Sequence, residues 1–345
     1  MGEQSVSRRS FLQTTAAGAG ALALGALTAG QWAGTAEATS AFQKGADVSW
    51  VPQMEAHGYY WRNASGVRQD ILTILKGYGL SAIRLRTFVN PSSDPVSGHC
   101  SISETAAMAV RVRDAGMAVS IDYHFSDTWA DEGHQTTPAA WARMSYSQLR
   151  SAIASYVDSS MNVIKSRGVT PTWVQIGNEI NSGICHPVGS VSNPAQMTGL
   201  LNAAHDTVKQ VFPDAIVMIH LASPQHSSVA GFFKAYSSHG GKWDMNGFSS
   251  YGSASAAAGL VNDMKSVSNA YGKPYMQVEF GGPVSNPSGT ETTLKNFLTA
   301  LKSSGGQGLL YWEPQSYSPF NGYNMAAWNS ASREPTAIMN GFTAG

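Results

Sequence analysis

Acidic residues stand where two segments of the chain should be entering a core. "TWVQIG", Thr172–Gly177, mixes β-branched and aromatic residues and reads as a strand, yet it runs straight into Asn178 and Glu179. Pro274–Phe280 also reads as a strand, and it carries Glu279 near its end. Opposed carboxylates are what glycoside cleavage needs. One protonates the departing oxygen, and the other attacks or stabilises the anomeric carbon. Asn178 can hydrogen-bond a sugar 2-hydroxyl, a contact that tightens as oxocarbenium character develops. Arg84 and Tyr251 could keep Glu279 ionised, because a cation and a hydrogen-bond donor both favour the carboxylate form. Trp312 would offer a flat face beneath a sugar ring.

These residues must be brought together by regular elements. Eight strand candidates recur: Gly45–Trp50, Ala82–Phe88, Ala118–Phe125, Thr172–Gly177, Ala215–Leu221, Met245–Tyr251, Pro274–Phe280 and Gly308–Trp312. Between them lie segments of helical periodicity. Ser147–Arg167 spaces Leu149, Ile153, Val157, Met161 and Ile164 at three- or four-residue intervals, and Ser103–Ala115, Ala195–Val211 and Thr292–Leu301 behave alike. Gly116 and Gly168 fall where helix C-caps belong. Strand and helix alternating eight times predict a single-domain α/β fold, the (β/α)₈ TIM barrel, with a doubly wound open sheet as the alternative.

A barrel gives the strand ends their meaning, since its active site lies where the C-terminal ends converge. Here those ends are polar: Arg84 and Arg86, Asp122 and His124, Asn178 and Glu179, His220, Tyr251, Glu279, Trp312 and Glu313. Any one of them alone could be an ordinary salt bridge or a loop anchor. Together they predict a site. Asp122 and His124 either shape a sugar-binding face or anchor the loop "FSDTWAD", and Trp129 in that loop is either a stacking ring or a staple. Zinc on Asp122, His124 and His220 is a competing chemistry, but no His-x-His pair follows the first strand, so no metal or other cofactor is expected. A non-catalytic carbohydrate-binding barrel is a third reading. It would have no use for two facing glutamates, which are costly to desolvate.

Composition narrows the partners. The 345-residue chain has formal net charge zero and only 13% charged residues, so no basic surface is available for a nucleic acid. The first residues form a separate unit: Ser7-Arg8-Arg9-Ser10-Phe11-Leu12, an Ala/Gly/Leu run over 16–30, then Ala36-Glu37-Ala38. That order of charge, apolar run and small-x-small site predicts a cleaved twin-arginine-type export signal over residues 1–38, rather than a membrane anchor. The mature barrel, residues 39–345, is then extracellular, free of the membrane and monomeric. For Cys100 and Cys185 a disulfide is the expectation, with two buried thiols as the alternative.

Four stretches carry a family resemblance: "GADVSWVPQME" (Gly45–Glu55), "IRLRTFVNP" (Ile83–Pro91), "DAGMAVSIDYHFSDTWAD" (Asp114–Asp131) and "WVQIGNEINSG" (Trp173–Gly183). They resemble glycoside hydrolase family 53, the arabinogalactan endo-β-1,4-galactanases, within the clan of retaining (β/α)₈ glycosidases. The resemblance implies hydrolysis of β-1,4-galactan, with Glu179 as acid/base and Glu279 as nucleophile about 5–5.5 Å apart. Burial and the Glu279 charge should then raise the Glu179 pKa. "VMIHLAS" and "LLYWEP" continue the likeness more faintly. The second half departs from the family pattern. Ala222-Ser223-Pro224 replaces an Asp-Gly, Ser249-Ser250-Tyr251-Gly252 replaces Ser-Tyr-Tyr-Pro, and Glu279-Phe280-Gly281-Gly282-Pro283 replaces Glu-Thr and a later Trp. Because the last loop is short, the calcium of some relatives is not expected.

Overall fold

A computed structural model describes residues 41–94, 98–317 and 320–343; the expected export signal lies outside them. Eight parallel strands close into a ring: β1 (Gln43–Asp47), β2 (Ala82–Thr87), β3 (Ala118–Tyr123), β4 (Trp173–Ile176), β5 (Ile216–Ala222), β6 (Met245–Ser249), β7 (Tyr275–Phe280) and β8 (Gly308–Trp312). Each strand pairs with its sequence neighbours, and β1 closes on β8 with Asp47 beside Trp312. All eight expected strands are present, with ends shifted by a few residues.

Helices α1 (Ile71–Gly77), α2 (Ile102–Asp114), α3 (Tyr146–Ser166), α4 (Pro194–Val211), α5 (Ser227–Ser238), α6 (Ala257–Ala270) and α7 (Pro287–Ser304) cover the ring. Ser101 with Glu104, and Ser145 with Gln148, form capping boxes that start α2 and α3 by satisfying orphan backbone N–H groups. Gly116 and Gly168 follow those helices at φ +69° and +70°, the left-handed turn that favours glycine. The eighth helical position is only a 3₁₀ turn, Ala337–Phe342, which buries Ile338, Met339 and Phe342. Its Gly341 lies so close to α7 that a Cβ there would stand 2.8 Å from Leu294.

Period-2 alternation splits the core into two layers. Outward residues pack under the helices. Inward residues at the bottom of the ring form a plug of Ala82, Trp173, Met218, Met245, Met276, Val278 and Leu310. Two residues further along the same inward faces the plug gives way to Arg84, Gln175 and His220, all buried. The apolar plug is therefore the floor of a polar chamber at the C-terminal end. On β7 the alternation is broken: Phe248 and Ser249 of β6 pair with Gln277 and Glu279, which leaves Val278 as an extra residue. That bulge turns Glu279 inward, directly after the inward Val278.

The cysteines do not pair. Cys100 lies beside the chain that follows β1, with Sγ 3.9 Å from the Ser49 carbonyl, while Cys185 packs just past the β3 end, with Sγ 3.4 Å from the Phe125 carbonyl. Each is a buried free thiol on a different wall of the barrel, and burial pushes both thiols up to about 12.

Candidate active site

Arg84 of β2 is the hub of the chamber. Its Nη1 donates to Asp47 Oδ2 (3.0 Å) and to Glu279 Oε1 (2.9 Å), Nη2 to Asn178 Oδ1 (2.7 Å), and Nε to Gln175 Oε1 (3.1 Å). Nη2 also stands 2.9 Å from Asp122 Oδ2. Asp47 and Arg84 are at most 1% exposed, and isolated ions at that depth would be prohibitively costly. They persist because each charge meets an opposite one and the remaining donors are satisfied.

Glu279 receives a donor on each oxygen, Arg84 on one and the Tyr251 hydroxyl on the other at 2.9 Å. Burial lifts its pKa above the usual carboxylate range, while Arg84 and Tyr251 pull it back toward the charged form. Among the described residues no cation pairs with Glu179. Burial first, and then the Glu279 charge, push it up to about 8, against a hydrogen bond from Ser249. Two neighbouring carboxyls thus sit in unequal environments, which favour the proton on Glu179 and the charge on Glu279. Glu179 adopts a left-handed backbone at φ +47°, a strained conformation for a residue other than glycine. Its half-buried side chain borders a cavity of about 430 Å³ shared with Glu132, Ser223, Gln225, Ser249 and Tyr251. Beyond the Tyr251 ring a second cavity of about 440 Å³ runs along Gly252, Gly281, Gly282, Pro283 and Met325.

Trp312 is half-buried at the end of β8, edge-on to Trp50 (4.9 Å), Trp129 (5.7 Å) and Tyr323 (4.8 Å). Under this aromatic wall Arg86 lies over Trp129 at 4.2 Å and donates to Glu313 at 2.6 Å. Glu313 is fully buried and also accepts the Trp50 N–H. Burial pushes it up to about 8, although Arg86 opposes the rise.

Asp122, His124 and His220, all expected at the site, lie beneath its surface. Asp122 is 0% exposed and bonds Gln175 and Arg84; burial raises its pKa, but Arg84 and His124 outweigh that and hold it below its ordinary value. His124 uses both ring nitrogens, Nε2 on Asp122 (3.1 Å) and Nδ1 accepting the Ala130 N–H (3.0 Å). That geometry anchors the loop. His220 is 0% exposed, with Nδ1 2.9 Å from Asn178 Oδ1 and Nε2 2.6 Å from Ser249 Oγ; burial and Arg84 keep it neutral by driving its pKa well below its ordinary value. Asn178 is held by Arg84 and by its own donation to Ala130 O (2.8 Å). Trp129 is half-buried between Arg86 and the other rings, a staple with one edge outward. Sequence reasoning missed Asp47, Gln175 and Ser249. Their signal was position, since each lies at or near a strand end on the inward face. Among the described residues no three His, Cys, Asp or Glu side chains are grouped to hold a metal ion.

Comparison with known proteins agrees with this geometry. The chain is 32% identical over 300 residues to "Probable arabinogalactan endo-beta-1,4-galactanase A" of Neosartorya fischeri, covering 79% of this chain and 83% of the relative. It is 31% identical over 299 residues to "Arabinogalactan endo-beta-1,4-galactanase" of Thermothelomyces thermophilus, covering 79% and 89%. Among solved structures it superposes on the Ignisphaera aggregans GH53 catalytic domain with a TM-score of 0.80, 27% identity and 87% and 95% coverage. It superposes equally, at 28% identity and 88% and 99% coverage, on a structure from a study of two fungal beta-1,4-galactanases. The model of "Glycosyl hydrolase family 53" matches residues 43–340, and the chain belongs to that family.

Proposed function

We propose that this chain is an exported, endo-acting β-1,4-galactanase that hydrolyses its substrate with retention of configuration. The observation that carries the reading is the asymmetry of the two carboxyls. Glu279 is held charged between Arg84 and Tyr251, and Glu179 is held protonated beside an open cavity. A sugar over Trp312 would place its anomeric carbon at Glu279. The Glu279 oxygen forms a bond to that carbon as the glycosidic C–O bond breaks, and Glu179 gives its proton to the departing oxygen. Glu179, now a carboxylate, then removes a proton from water as the water oxygen displaces Glu279 from the same carbon. The products are two shorter chains, and both carboxyls return to their starting states. The names of the relatives support galactan as the polymer, and the Ser7-Arg8-Arg9 leader pattern supports export by a twin-arginine-type route and action outside the cell as a monomer.

A second reading keeps the chemistry and changes the polymer to another β-linked galactan or hemicellulose. It is favoured by where the departures from the family pattern fall: Ala222, Ser223 and Gly252 line one cavity, and Gly252, Gly281, Gly282 and Pro283 line the other. Hydrolysis of a polysaccharide panel in EDTA, with NMR of the first products, tests both. Release of β-configured galacto-oligosaccharides from β-1,4-galactan supports the first reading. Cleavage of another β-glycan alone selects the second, and inverted products defeat the nucleophile assignment. Replacing the leader's Arg8-Arg9 by Lys-Lys should leave the protein inside the cell, and export unchanged would refute the route.

A further inference from the structure

We infer that the rim formed by the loops after β1 and β8 carries a binding subsite for an acidic sugar, one bearing a carboxylate or a sulfate, built from Arg62, Arg68 and Arg333 around Tyr60. Two-residue strands Trp61–Arg62 and Arg68–Gln69 pair antiparallel, and the register sets Arg62 directly opposite Arg68. Like charges in that relation destabilise a ribbon. Arg333 is drawn into the same spot, since its carbonyl accepts the Arg62 N–H at 2.9 Å and its backbone is left-handed at φ +62°. The three guanidinium carbons lie 5.7, 4.6 and 4.2 Å from the centre of the Tyr60 ring.

Among the described residues none of the three arginines forms an ion pair, whereas Arg111 on the neighbouring surface binds both Glu55 and Asp70. Glu334 is the acid in reach. Its carboxylate rests against Gly66, 3.1 Å from where a Cβ would stand, and it pairs with none of them. Arg68 is exposed, and Tyr60, Arg62 and Arg333 are half-buried. Stacking on one ring compensates part of the repulsion. Arg62 Nη1 is committed to the Gly66 carbonyl, and Arg62 and Arg333 also hydrogen-bond the Tyr60 side chain. The exposed Arg68 fork, with the remaining N–H groups of the other two, is therefore what a carboxylate or sulfate meets. Three charges held together against a rule of strand pairing are a local conflict of the kind found at functional sites.

Aromatic contacts join the patch to the reaction centre. Tyr59 meets Tyr317 (5.0 Å) and Phe320 (5.4 Å), Phe320 meets Trp50 (5.5 Å), and Trp50 meets Trp312 (4.9 Å). The Tyr317 hydroxyl is bonded to both the N–H and the carbonyl of Tyr60. The patch and Trp312 thus share one packed wall, and a glycan lying over Trp312 and extending across the loops after β1 and β8 would meet the arginines. This placement rests on the glycosidase reading, but the anion site stands on the arginines alone.

Titration calorimetry with trigalacturonate and with a sulfated galacto-oligosaccharide tests it on the full-length protein. At least one probe should bind, and about 0.5 M salt, where screening is short-ranged, should weaken it at least tenfold. Arg68→Gln should weaken the same probe by about five- to tenfold through loss of a charge-assisted contact. It should leave the rate on neutral galactan unchanged and hold or raise Tm, because a like-charge pair is removed. Which probe binds tells carboxylate from sulfate. Binding of neither probe, or binding untouched by both Arg68→Gln and Arg62→Gln/Arg68→Gln, overturns the proposal. A lower Tm with unchanged binding makes the arginines a structural clamp and also overturns it. Probe binding by a protein that cleaves no galactan would refute galactan as the polymer and leave the subsite standing.

Discussion

Replacing Glu279 by Gln should bring down the pKa of Glu179 while leaving it above an ordinary glutamate. In the intact site Glu179 stands at about 8 against 4.5 for a free side chain, a difference worth about 5 kcal/mol. Burial is the larger cause and the Glu279 charge the second. At the separation of about 5 Å expected of a retaining pair, a unit charge in a medium of effective dielectric constant about 20 contributes about 3 kcal/mol. Glu279→Gln removes that charge without removing volume, so Glu179 should fall by about one to two pH units and burial should keep the rest. The assay is ¹³C NMR of the glutamate carboxyls, with Glu179 assigned through Glu179→Gln. In the wild type the same ionisation should appear as the alkaline limb of kcat/KM near pH 8, since Glu179 must carry its proton to act as an acid. A wild-type Glu179 titrating near 4.5 would refute the acid assignment. A Glu179 unmoved in Glu279→Gln would refute the coupling. Stability has a fixed sign here. A raised folded-state pKa favours the folded chain fully below about pH 4.5, and that contribution is lost as the pH rises toward 8. The gain from Glu179→Gln should therefore grow across that window, reaching about 3 kcal/mol near pH 7.

Ser249→Ala removes a donor to Glu179, so its alkaline limb should move to higher pH; a limb that stays or falls would show that Ser249 does not act on the acid. His124→Ala should cost about 1–3 kcal/mol of stability, through the lost contacts to Asp122 and Ala130, with a smaller effect on KM than on Tm; a raised KM at unchanged Tm would return His124 to the sugar face. Glu179→Gln should nearly abolish turnover of polymer yet spare the first step on an aryl galactoside, whose leaving group needs little protonation. Equal loss on both would count against the acid role. Cys100 and Cys185 should be inert to a thiol reagent in the folded protein and titrate as two thiols on unfolding, and a reductant should leave Tm unchanged.

The ring was legible because buried parallel strands read as short β-rich runs with polar ends, and eight such runs leave little choice of topology. The pair Glu179 and Glu279, with Arg84 and Tyr251, was legible because chemistry in a barrel is confined to those ends. Helices α5 and α6 were harder to see. Ser227–Ser238 opens on two serines and contains Gly231, and Ala257–Ala270 buries only Ala257, Val261, Met264 and Ser268, so the apolar stripe is thin. Asp122 and His220 stood in the right place, but a sequence does not tell a side chain that faces the substrate from one beneath it. That depends on how deep the chamber is, which the plug under Arg84 decides. The cysteines failed as a pair because loop position in a sequence carries no distance.

One guanidinium on β2 touches β1, β3, the end of β4 and β7 at once. Those partners span the arc from β7 through β8, β1, β2 and β3 to β4, which exists only once β8 pairs with β1, so competence for chemistry arises only when the circle shuts. Half-barrel fragments of this chain would be catalytically silent apart and would recover turnover on association, which makes activity itself a reporter of closure. The same linkage tells an engineer where the circle can be cut. A circular permutant opened in a loop at the N-terminal face keeps every spoke of the Arg84 wheel, whereas removing any one of the strands it touches breaks the wheel.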